Sequence, residues 1–228
     1  MKISDLGEFR LIDLIHNIAD TFRDPQQPAW QQLVVGIGDD VAAWQGNNHI
    51  QLATTDSLVE DVHFDLSTVT WEELGWKALA VNLSDIAAMG GIPLYALVSL
   101  ASPGDTAVES VSSFCRSMAS LAAEFGVAIV GGNLAASSHL VITVTVLGRS
   151  IEQAILRRST ANPGDRIAVT GYLGSSSAGL EMLKGGLGLD TETAAMLRRA
   201  HLQPTPRVKE GQVLVDKGVK AAIDISDG

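Results

Sequence analysis

Five aspartates, Asp40, Asp56, Asp85, Asp224 and Asp227, each end or interrupt an otherwise apolar stretch of this chain. An isolated buried charge costs several kcal/mol or more, so each acid that folds inward needs a cation, a set of donors or a metal ion beside it. Asp40 closes the run Leu33-Val34-Val35-Gly36-Ile37-Gly38-Asp39-Asp40. Side chains alternate in extended chain, so one of the two adjacent acids faces any given site and the other faces away. Asp56 completes Thr54-Thr55-Asp56 after the apolar run Ile50 to Ala53. Two hydroxyls beside a carboxylate are the hard oxygen donors that magnesium prefers, although the same triplet is also an ordinary turn or helix-start signal. If the acids converge, two like charges ~4 Å apart repel by about 4 kcal/mol at an effective dielectric near 20. Several Mg²⁺ ions would neutralise them and recruit phosphate oxygens as well. Spacing alone leaves convergence open.

The element that must carry Asp85 is the stretch Thr70 to Pro93, which reads as one long helix across the core. Thr70 with Glu73 makes a capping box, and Gly90, Gly91 and Pro93 form a stop signal. Asp85 shares a face with Ala78, Val81, Asn82, Ala88 and Met89, while Lys77 lies two turns away on a different face. His63 falls on a loop before this helix. Residues 5 to 22 form an amphipathic helix behind a possible Ser4 cap, and Pro25 to Pro28 a loop. Strands are expected at 33–37, 50–53, 94–101, 127–130 and 140–148, the fourth emptying into a turn at Gly131-Gly132-Asn133. The last alternates apolar residues on both faces, which suggests a layer on each side or a subunit interface. Thr106 to Phe125 is a helix with Thr106 and Glu109 as a second capping box. Cys115 lies in it as a small buried hydrophobe.

A domain boundary is expected near Gly148 to Gly164, giving domains 1–149 and 150–228. Beyond it come a strand at 166–170 and a glycine-serine turn, Gly171 to Gly179, leading into a helix from near Ser176. Such a helix start can hold an anion through its N–H groups. A loop at 185–190, another at 201–206, a helix at 206–217 and a strand at 220–225 complete the chain. The stop at Gly228, just past a strand's terminal acids, reads as a truncated chain. Neither GxxxxGK[ST] nor GxGxxG occurs, so this is no P-loop or ordinary dinucleotide fold.

Composition narrows the class. The 228 residues are 46% hydrophobic, enough for a substantial core, and no apolar run reaches the length of a membrane span. Met1-Lys2-Ile3-Ser4-Asp5 lacks the pattern of a signal peptide, so a cytoplasmic protein is expected. The single cysteine excludes an internal disulfide and a thiolate cluster for zinc. The net charge of −10 argues against nucleic acid or an anionic membrane as partner, and an anionic protein binding phosphates needs divalent cations between them.

Five blocks in order, Gly36-Ile37-Gly38-Asp39-Asp40, Thr54-Thr55-Asp56, Val81 to Gly90, Thr170-Gly171-Tyr172-Leu173-Gly174 and Asp224-Ile225-Ser226-Asp227-Gly228, resemble the thiamine-monophosphate kinases. That family belongs to the superfamily that includes aminoimidazole ribonucleotide synthetase. The resemblance implies an α/β (α+β) fold of two domains, the first pairing with its twin in a homodimer to close a shared barrel. It implies ATP-dependent phosphorylation of thiamine monophosphate to thiamine diphosphate with several Mg²⁺ ions, by direct in-line transfer without a catalytic Ser, Cys or Lys. Carried over, Asp40, Thr54, Thr55, Asp56, Asp85, Asp224 and Asp227 match metal ligands. His63 matches a substrate contact, Arg158 and Ser226 match ATP contacts, and Gly132 falls in a nucleotide-contacting turn. Asn133 stands where the family usually has Asp, offering Mg²⁺ or ATP a neutral oxygen. The family's C-terminal part, which supplies an acidic and an aromatic contact to the thiamine, lies beyond these residues. The rival readings are another ATP-dependent phosphoryl activator of the superfamily and a non-catalytic Mg²⁺-nucleotide-binding module.

Overall fold

A computed structural model of the chain describes residues 8–21, 24–26 and 28–225. At its centre is an 18-residue helix laid across a mixed six-stranded sheet. The chain runs α1 (Glu8–Thr21), α2 (Pro28–Gln32), β1 (Leu33–Val35), β2 (Ala42–Gln45), β3 (Ile50–Val59), α3 (Trp71–Ala88), β4 (Ile92–Ser102), α4 (Val108–Glu124), β5 (Ala128–Ala136) and β6 (Val141–Arg149). A 3-10 turn (Arg158–Thr160), α5 (Ser175–Leu183), α6 (Thr191–Leu202) and α7 (Val208–Asp216) follow.

The central helix forms where its caps say it should. Thr70 Oγ1 accepts from the Glu73 N–H, and Glu73 Oε2 accepts from the Thr70 N–H at 2.8 Å. The helix is apolar on nearly all sides because it is covered on nearly all sides. β3, β6 and β4 lie beneath it, α4 beside it and α7 against its far end. Leu74, Leu79, Leu83 and Ile86 are wholly buried. Two glycines permit the close approaches. A Cβ on Gly75 would sit 2.2 Å from the Phe114 carbonyl oxygen of α4, and one on Gly211 of α7 would sit 2.1 Å from that of Ala87.

The sheet has the order β1-β2-β3-β6-β4-β5, parallel between β4 and β5 and antiparallel elsewhere. Ile142, Val144 and Val146 of β6 point to the helical layer and are buried, whereas Val141, Thr143, Thr145 and Leu147 on the other face are half-buried. That second face also exposes Tyr95 and Leu97 of β4.

Several expectations need correction. β3 does not stop before Thr54 but runs on to Val59, because β6 pairs with it from Gln51 to Val59. Gly131-Gly132-Asn133 is not a turn. It lies inside β5, paired with Leu97, Val98 and Ser99 of β4. The strand expected to Ile37 ends at Val35, and the four residues of β2 and the helix α2, which begins on Pro28, were not anticipated. Thr106 does not cap α4: it lies in a turn, its N–H donating to Pro103 O, and the N-cap falls one residue later on Ala107, which has no side-chain oxygen to offer. Glu109 is thereby shifted out of capping register. Cys115 is exposed, one residue around the helix from buried Phe114. Segments 166–170 and 220–225 form no strand: a strand needs a neighbour for its N–H and C=O groups, and no second sheet exists among the described residues. Ile167 is 99% exposed in consequence. The Ser4 cap and the two ends of the helix expected over 5–22 lie outside the described residues.

Candidate functional site

Three chain segments bring carboxylates together under the central helix. Asp40 comes from the loop before β2, Asp85 from α3 and Asp224 from the segment after α7, and one ligand oxygen of each lies within 4.8 Å of the others. Their convergence was not derivable from spacing, since 45 and 139 residues separate them along the chain, counting 40 to 85 and 85 to 224.

β3 supplies the floor. Thr54 and Asp56, two residues apart, face the helix, and the Thr54 hydroxyl donates to Asp85 Oδ2 at 2.5 Å. β2 pairs with β3 only as far as Ala53, so beyond it the free edge of β3 is met by α3 instead. Asn82, wholly buried and one turn before Asp85, accepts from the Asp56 N–H at 3.1 Å and donates to Ala78 O at 3.0 Å. This amide was visible in the sequence on the face of Asp85, but nothing there indicated that it would take over a backbone bond of the strand.

Electrostatics match the crowding. Burial pushes Asp85 up to about 7, with the neighbouring Asp56 and Asp224 charges adding to the rise and the Thr54 hydroxyl opposing it. Asp39 is also raised, by burial, against the pull of Arg158. Arg158 donates through Nη2 to Asp40 Oδ1, and its Nε lies 3.7 Å from Asp39 Oδ1. Asp40 Oδ2 is buried and has no hydrogen-bond partner among the described residues. A set of oxygen donors, negative and partly unsatisfied, is the chemistry a hard divalent cation requires.

The other expected residues are distributed around this cluster. Thr55 is not brought to it: its hydroxyl lies on the opposite face of the sheet, donating to Val144 O at 3.1 Å and paired with the Thr145 hydroxyl at 2.9 Å. Gly132 and Asn133 lie on β5, three strand spacings or roughly 14 Å from β3. A Cβ at Gly132 would fall 1.7 Å from Val98 O, which accounts for the glycine by strand packing. His63 sits exposed on the turn after β3, where Asp61 adopts φ 63° and His63 Nδ1 accepts from the Val59 N–H at 3.0 Å. Ser226 and Asp227 lie outside the described residues. At the N-terminus of α5 a cleft of about 150 Å³ is lined by Thr170, Gly174, Ser175, Ser176 and Ile225, and so adjoins the acidic cluster through the Asp224-Ile225 bond.

With this geometry in view, comparison with known proteins is direct. Residues 38–150 match the family model of the AIR synthase related protein, N-terminal domain. The chain is 39% identical to the thiamine-monophosphate kinase of Bacillus subtilis over 221 residues, covering 95% of this chain and 66% of that one. It is 36% identical to the thiamine-monophosphate kinase of Aquifex aeolicus over 228 residues, covering 100% and 69%. Among solved structures, AaThiL complexed with AMPPCP and TMP superposes with a TM-score of 0.82 at 35% identity, covering 94% of this chain and 64% of that one. The chain thus spans about two thirds of the length of these relatives.

Proposed function

The chain belongs to the thiamine-monophosphate kinase family, and on that premise we propose that the protein transfers the γ-phosphoryl group of ATP to the phosphate of thiamine monophosphate. The products are thiamine diphosphate and ADP. The observation that carries this reading is the meeting of Asp40, Asp85 and Asp224 from three separate segments. Asp40, Asp85, Asp224 and Asp56 would hold Mg²⁺, with Thr54 beside them, and Asp227 joins this proposal from the family motif alone. Bound there, the ions would neutralise the carboxylates and the phosphate oxygens in contact with them.

The chain's own contribution is positioning. An acceptor phosphate oxygen is already ionised, so transfer needs no strong base and no nucleophilic side chain. Thr54 fixes the rotamer of Asp85, and Asn82 fixes the backbone of Asp56, so the donors are held before any ligand arrives. Arg158, Gly132, Asn133 and Ser226 are proposed nucleotide contacts and His63 a proposed substrate contact. For Gly132 and Asn133, on the edge strand, and for His63, this rests on family position rather than on proximity to the cluster. We also propose a homodimer through the second face of the sheet, where Tyr95 and Leu97 are exposed beside half-buried Leu147.

The test is incubation with ATP, Mg²⁺ and thiamine monophosphate, followed by chromatographic separation. Thiamine diphosphate formed one-for-one with ADP is expected. ADP without thiamine diphosphate would redirect the proposal to another acceptor, and Mg²⁺-dependent ATP binding that never yields ADP would leave a binding module.

A further inference from the structure

Asp40 is engaged on two sides. Its side chain is wholly buried, it contributes an oxygen to the group with Asp85 and Asp224, and it accepts from Arg158, whose side chain is 41% exposed. The guanidinium therefore bridges solvent and pocket, and it also faces Asp39. The ion pairs of Asp39 and Asp40 among the described residues are both with Arg158. A divalent cation entering among Asp40, Asp85 and Asp224 would compete with it for the same carboxylate and repel it.

We propose that Arg158 is the resident counter-ion of this pocket, displaced from Asp40 when a divalent cation binds and thereby freed to meet a phosphate oxygen of the nucleotide. The second half rests on the proposed kinase reading, whereas the displacement concerns the metal alone. The backbone around Arg158 is held independently of its side chain. The Arg157 N–H and the Thr160 hydroxyl both donate to Lys220 O, at 2.9 and 2.7 Å, which ties the 3-10 turn to the segment carrying Asp224. Release thus requires a change of side-chain rotamer and no opening of the fold. It also orders the ligands: metal first, then an anion at the vacated arginine.

The exchange predicts opposite effects on two ligands. Nucleotide-free Mn²⁺ titration, followed by the paramagnetic resonance of the free ion, should show Arg158→Gln binding Mn²⁺ about tenfold more tightly than the unmodified protein, equivalent to about 1.4 kcal/mol. Arg158→Lys, which keeps the charge, should stay near the parent value. Affinity for Mn²⁺ that is unchanged or weaker in Arg158→Gln overturns the exchange while leaving the metal site intact. Failure of the parent itself to bind Mn²⁺ at millimolar concentration removes the metal site and the exchange together. A second measurement avoids the variants: phenylglyoxal modification of the parent protein, mapped by peptide mass. Mg²⁺ should raise the labelling rate at Arg158 severalfold and added ATP should suppress it, and a rate that Mg²⁺ leaves unchanged or lowers counts against displacement.

Discussion

Asp85 is held at a cost that pH can reveal. Its carboxyl titrates at about 7 in the folded protein against 3.8 for an ordinary aspartate, chiefly through burial. The folded state therefore binds the proton more tightly than the unfolded chain, and this contribution to stability is lost as pH climbs from about 4 to about 7. In metal-free protein, Asp85→Asn keeps the acceptor for the Thr54 hydroxyl and removes the charge. We expect its stability to match the parent's near pH 4 and to exceed it at pH 8 by roughly 3 kcal/mol, read as a higher melting temperature at that pH. Saturating Mg²⁺ should reverse the ranking, stabilising the parent and not the variant. A parent that is as stable as Asp85→Asn at pH 8 in EDTA would mean that the acid is better compensated than its surroundings indicate. At this scale the sequence was informative about residue type and weak about direction. Asp85 betrayed itself as an acid in an apolar helix. Thr54 and Thr55 looked equivalent, yet β3 continues through both, so alternation sends one hydroxyl to the cluster and the other to the far face of the sheet. Asp39 and Asp40 did not separate this way, because they lie on a loop and Arg158 reaches both.

The elements were legible wherever a sequence pattern and its tertiary partner agreed. α3 carries its own stop and start signals, and β4 and β6 are long apolar runs flanked by strands. β2 is four residues, Ala42–Gln45, with no period long enough to read, and it exists because β1 and β3 flank it. Segments 166–170 and 220–225 carry strand-like composition without a partner strand in the described structure. Gly75 shows the same contest within one residue. By intrinsic propensity, alanine in a helix interior is favoured over glycine by about 1 kcal/mol. Against that, the new Cβ would lie 2.2 Å from the Phe114 carbonyl oxygen, and backbone of α4 cannot yield as a flexible side chain would. Overpacking typically costs about 1–3 kcal/mol, so packing wins. Gly75→Ala should lower the melting temperature by several degrees, measured by circular dichroism, and a rise would show that α4 shifts at little cost. Mn²⁺ affinity of the folded variant should stay within about twofold of the parent, because the α3–α4 contact carries none of the proposed ligands.

For the whole molecule, the question is how residues 150–225 are held so that Asp224 arrives beside acids from the sheet. The seam along α3 is specific. Arg198 of α6 makes a two-pronged pair with Glu73, both bonds 2.6 Å, and donates to Thr68 O at 2.9 Å. Burial opposes ionisation of Glu73, but this arginine and the Thr70 N–H outweigh it and hold its carboxyl below the usual range. The Trp76 indole donates to Pro204 O at 2.9 Å, and Gln212 donates to Gly91 O at 3.1 Å. His201, buried among Lys77, Lys184 and Ser176, is pushed down to about 4, first by desolvation and then by the two lysines, so the seam contains a neutral imidazole at physiological pH. α7 packs tightly on α3 at Gly211, and Asp224 follows eight residues after the end of that helix, counting 216 to 224. A side chain at 211 would meet Ala87 O at 2.1 Å, forcing α7 outward and Asp224 with it. Gly211→Ala is therefore expected to lower stability and, unlike Gly75→Ala, to weaken Mn²⁺ binding severalfold in the protein that remains folded. The two variants introduce the same methyl group at comparable clashes on either side of one helix, so any difference in metal affinity isolates the route through α7. Equal affinities in both would mean that Asp224 keeps its place independently of how α7 is seated, with the bonds from Arg157 and Thr160 to Lys220 O holding its segment.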